Sequence, residues 1–380
     1  MQINTDRLAQ FFTELCQLES PSKKEGAVAR YLQQHCEKLG AASIIVDDSS
    51  SQTGSETGNL IVRFTGDENL NDALFFACHM DTVGPTEGLE VIRNGDIFTS
   101  GGNTVLGADD KSGIAPLLEL MYLLKENDTP HCPIELVFTT CEEIGLLGAK
   151  ALDTSLLKAQ YGYALDSTRK GKIVTGAPAA NKVKITIKGK AAHSGSAPER
   201  GVNALAIAAQ AITQITLGRI DTLSTANFGL ISGGTATNIV PETVVLEGEV
   251  RSHSPVMLAD HTRIIKNIFQ QVVKDWPHSE DDIGASLSFE MEEDFPALQL
   301  EDGEPVLRRI HSGAAIIDRP LYFDIAGGGS DANIFCGSGL RTAIVPTGMA
   351  NVHTTDEQVD LNDMVALTEL IYAMVTDSGS

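Results

Sequence analysis

The chain has 380 residues, with 28 Lys and Arg against 51 Asp and Glu, for a formal net charge of −23. At about 150 residues per domain this length predicts two or three domains, and 42% hydrophobic with 21% charged residues excludes a disordered chain. The acidity disfavours a nucleic-acid partner, and the densest apolar run, Ala73 to Cys78, is far short of the roughly 18 residues that span a bilayer, so no membrane partner is expected either.

Leu8, Phe11, Phe12 and Leu15 recur at helical spacing, so the chain opens with an amphipathic helix. Asp6 and Arg7 stand where a signal peptide would carry its apolar core, which predicts a cytoplasmic protein. Ser22-Lys23-Lys24-Glu25 reads as a capping box for a second helix, ended by Gly40. Four later segments share another form. Ala73–Ala77 runs into His79-Met80-Asp81, Ile134–Phe138 into Cys141-Glu142-Glu143, Tyr161–Leu165 into Asp166, and Ala343–Val345 into a loop reaching His353. Each reads as a buried strand delivering a metal-binding type of residue at its carboxyl end, the edge where open α/β sheets bind ligands. The six cysteines form no C-x-x-C pair and read as buried, reduced thiols.

The middle of the chain predicts another unit. Strand Val183–Ile187, helix Val202–Ile215, strands Asn227–Ser232 and Thr243–Arg251, a helix capped by Ser254 with Pro255 at its first position, and strand Ala285–Glu290 follow in turn. That β-α-β-β-α-β order is ferredoxin-like. The expected organisation is an α/β catalytic domain, residues 1–179 and 293–380, with an inserted α+β lid domain, residues 180–292.

Five segments carry the chemistry: His79-x-Asp81, Gly107-Ala108-Asp109-Asp110-Lys111, Glu142-Glu143, Asp166 and His353. Imidazole nitrogen with carboxylate oxygen favours zinc, with cobalt or manganese as substitutes. Two His and three acids suffice for two ions if one carboxylate is shared. Asp81, two residues beyond His79, could accept the proton on the other ring nitrogen of His79. Adjacent Glu142 and Glu143 make chemical sense if one binds metal and the other stays free as a general base.

The words HMDTVGP, GADDKSGIA, TTCEEIGLLGAK, GKAAHSGSAPERGVNA and VHTTDE resemble the blocks of the two-domain dinuclear zinc exopeptidases, the family of peptidase T, carboxypeptidase G and succinyl-diaminopimelate desuccinylase. GADDKSG and EEIGLLGAK are most similar to the peptidase T-like branch. The resemblance implies that Asp109 bridges two zinc ions, with His79 and Asp166 completing one and Glu143 and His353 the other. It implies Glu142 as general base to a metal-bridging water and Asp81 as the group that orients His79. In the lid it assigns His193 to the substrate and the reacting carbonyl oxygen, on closure of the two domains. Asn238 and Arg251 match residues at the substrate's carboxylate end, and Gly328 lies in a loop, Gly327 to Ser330, that matches a backbone patch near it. The implied activity is hydrolysis of short peptides, as a tripeptidase or aminopeptidase, in a chain that pairs into a homodimer through the lid. An N-acyl amino acid deacylase, desuccinylase or glutamate-releasing carboxypeptidase on the same scaffold is the alternative, and a non-catalytic peptide- or metal-binding protein a remoter one.

Overall fold

In the computed structural model, which describes residues 2–67, 70, 72–169, 171–277 and 284–377, the first helix spans Thr5–Gln17. It buries Leu8, Phe11, Phe12 and Leu15, and the Asn4 side chain caps it by accepting from the Arg7 N–H. Each such side chain contributes about 1.5–3 kcal/mol by leaving water, so the apolar stripe decides where the helix docks. It packs on helices Ala108–Glu126 and Leu361–Thr376.

The second helix, Gly26–Leu39, ends at Gly40 with φ +85° as expected, but it does not start on a capping box. Its N-cap residue is Glu25, whose side chain makes no capping bond. Ser22 instead donates to Asp81 Oδ2 at 2.6 Å, and Glu25 accepts from the Cys141 N–H at 2.9 Å. Both polar side chains are drawn to the loops around the site, where buried N–H and carboxylate groups need partners more than an exposed helix end does.

The chain divides into two compact units: Met1–Gly176, Leu298–Ala326 and Ser330–Ser380 form one, and Ala177–Ala297 with Gly327–Gly329 the other. The first holds a nine-stranded mixed sheet. Its central strands Ile134–Thr139, Leu74–His79, Tyr161–Ala164 and Arg341–Ile344 run parallel. Three of these, LFFACH, IELVFT and YGYA, are buried at every position, the continuous pattern of strands covered on both faces. Phe335 and Leu340 join Ile61, Phe75 and Val137 in a core cluster. Parallel strands present their carboxyl ends at one edge, which is where His79 ends its strand and where Cys141-Glu142-Glu143 and Asp166 follow theirs.

A four-stranded sheet, Met349–Ala350, Gln358–Asp360, Ile97–Gly101 and Glu90–Asn94, lies outside what the sequence reading foresaw. Strand Glu90–Asn94 is almost wholly exposed, so no apolar alternation announced it.

The second unit is a five-stranded antiparallel sheet in the order Gly218–Arg219, Ser224–Gly233, Thr243–Ser252, Ala179–Lys188, Ser286–Phe295. With helices Ala204–Ile212 and Pro255–Asp275 it follows the ferredoxin-like order. Ser254 caps the second helix by accepting from Met257 N. Val183, Ile185, Ile187, Val244, Leu246, Ile265 and Phe269 form its core. Lys184 stands opposite Glu247 and Glu290, and Lys182 opposite Glu249 and Glu292, so cross-strand charge pairs fix the register. Among the described residues no helix is long and apolar enough to cross a membrane. All six cysteines are buried and unpaired.

Candidate metal centre

His79 is the last residue of its strand, and its Nε2 lies 2.9 Å from Asp109 Oδ1. Asp109 Oδ2 lies 3.4 Å from Nε2 of His353, which is in turn 3.0 Å from Glu143 Oε2. One carboxylate thus turns an oxygen to each histidine. His79, Asp109 and Glu143 present ligand atoms within 4.8 Å of one another. His353 holds φ +63°, a left-handed conformation uncommon for a residue with a β-carbon and found where a site imposes it.

Supporting groups hold these side chains in place. His79 Nδ1 meets the Asp81 backbone carbonyl at 3.0 Å, while the Asp81 carboxylate stands 3.6 Å away. The oxygen at hydrogen-bonding distance is therefore the main-chain one. The carboxylate instead accepts from the Glu142 N–H at 3.0 Å and the Glu143 N–H at 3.2 Å. Asp81 thereby fixes both the histidine and the paired glutamates. Gly113 lets the helix behind Asp109 close on the strand ends, since a β-carbon there would stand 2.6 Å from the Leu165 carbonyl oxygen. Asp110 is fully buried, with its carboxyl group beside Cys78.

The electrostatics report crowded negative charge. Burial pushes the Glu142 carboxyl well above its usual range, with Asp166 adding to the rise and His79 opposing it. Burial and then Asp109 raise Asp166 to about 7. Asp109 moves the other way: burial opposes its ionisation, but bonds to His353 and His79 hold it well below the carboxylate range. Hydrogen bonds to Asp109 and Glu143 raise His353 to about 10. Two imidazoles among so many carboxyl groups are the donor set of a divalent-cation site.

Loading such a site is expected to expel protons, because a His353 imidazole raised to about 10 ligates only after losing its proton. Asp166, near 7, is partly protonated there as well. Burial disfavours a charged His79, but bonds to Asp109 and Asp81 outweigh it and raise this ring as well. Affinity for zinc is therefore expected to rise from pH 6 to 8, with roughly two to three protons released per chain at pH 7. Calorimetric titration in buffers of different ionisation enthalpy measures this, and a pH-independent affinity would contradict the assignment.

Two acids at the site were not foreseen. Asp331, buried and raised to about 6 by its burial, accepts from Thr139 Oγ1 at 2.5 Å, on the strand next to His79. Glu357 is 1% exposed and binds the backbone leading into Asp109. Their position in the words GGGSDAN and VHTTDE was the available signal.

In the second unit, His193 Nδ1 accepts from the N–H groups of Gly195 and Ser196 at 3.1 and 3.2 Å. Asn238 is exposed, and its carbonyl accepts from Ser194 N at 3.0 Å. Arg251 pairs with Glu249 at 2.9 Å and lies over the Phe295 ring, 5.9 Å from its centroid. A β-carbon on Gly328 would stand 3.6 Å from Arg251 Nη1, and one on Gly329 would strike the Phe295 ring at 2.4 Å. The glycine loop and Arg251 therefore share one patch.

Imidazole and carboxylate ligands at the carboxyl edge of a parallel sheet, with a further carboxyl group beside them, define a metal-dependent hydrolase. The Peptidase dimerisation domain family matches residues 176–278, and peptidase family M28 matches residues 59–214. The uncharacterized protein YqjE of Bacillus subtilis strain 168 is 39% identical over 379 residues, covering 99% of this chain and 100% of that one. The aminopeptidase PepT of Bacillus cereus ATCC 10987 superposes with a TM-score of 0.91 at 38% identity over 100% of both chains. A tripeptidase of Staphylococcus aureus gives 0.92 at 32% identity, over 100% of this chain and 99% of that one. Peptidase T of Salmonella arizonae is 30% identical over 54% of this chain and 59% of its own length. The chain belongs to the peptidase T family of metal-dependent exopeptidases.

Proposed function

We propose that this protein is a two-zinc tripeptidase or aminopeptidase of the cytoplasm, acting on short peptides with a free amino terminus. The observation that carries the reading is Asp109, whose two oxygens face two different histidines 2.9 and 3.4 Å away. His79 and Asp166 would complete one ion, and Glu143 and His353 the other. When bound, the ions supply the positive charge that acidifies water and polarises the scissile carbonyl. Glu142 takes the proton of the attacking water and returns it to the leaving amine. His193, Asn238, Arg251 and Gly328 are the proposed substrate contacts, Arg251 meeting a terminal carboxylate. Six unpaired cysteines agree with a reducing compartment.

The test is a panel of di- and tripeptides with free or blocked termini, run beside N-acetyl and N-succinyl amino acids. Hydrolysis of tripeptides with a free amino terminus is expected. Turnover confined to the N-acyl compounds would replace this reading with the deacylase one.

We further propose a homodimer through the second unit. Strand Ser224–Gly233 pairs with Gly218–Arg219 only at Thr225 and Ala226, leaving the outer edge over Phe228–Gly233 without a strand partner among the described residues. Leu230 is 66% and Ile231 57% exposed there, an apolar edge that invites pairing with another chain. The double variant Leu230→Lys, Ile231→Lys is expected to sediment as a monomer where the parent is a dimer. A variant that remains dimeric would place the interface elsewhere.

A further inference from the structure

Glu357 lies four residues beyond His353 and has 1% of its surface exposed. Its Oε2 accepts from the N–H groups of Leu106 and Gly107, both at 2.8 Å, and its Oε1 from the N–H of Asp109 at 3.0 Å. These donors belong to irregular backbone. Gly107 holds φ +75°, and Asp109 and Asp110 have non-helical angles although they open the helix Ala108–Glu126. Such a turn cannot satisfy its own N–H groups, so an outside acceptor determines where it rests. That acceptor arrives on the segment that brings His353, whose Nε2 faces the Asp109 carboxylate at 3.4 Å. Three bonds accepted by one carboxyl group fix the turn in direction as well as position. Between them, His353 and Glu357 hold the same aspartate by its side chain and by its backbone.

We propose that Glu357 is a positioning residue that sets the Asp109 carboxylate opposite His353, so that its second oxygen is available to the ion on the His353 side. The proposal rests on the two-ion reading above. It goes beyond that reading by giving a role to an acid that touches neither ion nor substrate. A glutamine at this position keeps one acceptor oxygen but turns an N–H₂ group toward at least one backbone N–H, and so releases part of the turn. An aspartate keeps the charge on a shorter arm and restores some of the bonds.

The experiment uses the full chain, stripped of metal and titrated with Co²⁺, for the parent, Glu357→Gln and Glu357→Asp. The readouts are ion stoichiometry and affinity, the visible absorption of the cobalt-loaded protein, tripeptide kcat and KM, and the thermal midpoint of the metal-free protein. For Glu357→Gln, affinity for one ion is expected to fall 10- to 100-fold, the range seen when groups supporting metal ligands are lost. The cobalt spectrum should change and kcat fall with little change in KM. Glu357→Asp should recover part of each. A glutamine variant with parental cobalt affinity and spectrum overturns the proposal, whatever its thermal midpoint. So does failure of both variants to fold without metal, which would make Glu357 a fold-stability residue. If the parent binds no cobalt and loses no activity to chelation, the two-ion reading fails on its own, independently of the variants.

Discussion

Exchanging Glu142 for glutamine is expected to leave metal content and fold intact and to lower kcat at least about 100-fold, the usual worth of a positioned general base. Glu143→Gln should do the reverse and weaken the binding of one ion. The two neighbours start from the same anchor, since both N–H groups donate to the Asp81 carboxylate. Their side chains then meet different surroundings. Glu143 turns to His353 Nε2 at 3.0 Å, within the ligand cluster. Glu142 is pushed well above the usual carboxylate range by burial and by Asp166. A carboxyl group with a raised affinity for protons can take one in one step and return it in the next, whereas one at its ordinary value would be a weaker base. The amide of Glu142→Gln fills the same volume but accepts no proton, so structure is preserved while chemistry is lost. The check is ion content per chain by atomic absorption together with kcat on a tripeptide. A glutamine variant keeping more than about a tenth of parental kcat, or losing an ion, would assign the proton transfer elsewhere.

What could be read in the sequence follows from range of action. Leu74–His79 and Ile134–Thr139 are mostly apolar runs of the kind a doubly covered parallel sheet accommodates, so their carboxyl ends and the residues just beyond them were expected at one edge. The second unit was legible for a similar reason: alternating strands and the Ser254-Pro255 start are local signals. The place of Glu357 in VHTTDE was visible but its role was not, because its partners Leu106 and Asp109 lie 251 and 248 residues away and are backbone groups, which carry no residue identity. Ser22 and Glu25 misled the reading for the converse reason. Their spacing satisfies a local rule, but tertiary demand from Asp81 and Cys141 outweighs the roughly 1 kcal/mol of a helix cap. Asp81 combines both cases, since its nearness to His79 was visible and its hold on the Glu142-Glu143 turn was not.

Replacing His193 by alanine is expected to lower kcat by about 100- to 1,000-fold, the cost of removing one donor to a developing oxyanion, without changing metal content. The expectation rests on the ring's tautomer. Nδ1 accepts from two backbone N–H groups, those of Gly195 and Ser196, so it carries no proton in the neutral ring. The proton therefore sits on Nε2, and the ring presents an N–H donor on its free side. The loop is held for this purpose by main-chain bonds that do not involve the ring: Ser194 N donates to the Asn238 carbonyl and Val240 N to that of Ala192. Removing the imidazole should leave these in place, so the fold of the second unit is expected to survive. The His193 side chain is exposed and, among the described residues, its ring bonds are to Gly195 and Ser196 of its own loop, so it does not hold a core together. His193→Gln is a useful companion, since its side-chain amide can still donate and should recover part of the lost kcat. Loss of an ion from His193→Ala would make the residue a ligand. Parental kcat in the same variant would remove it from the reaction and leave its turn a local feature of the loop.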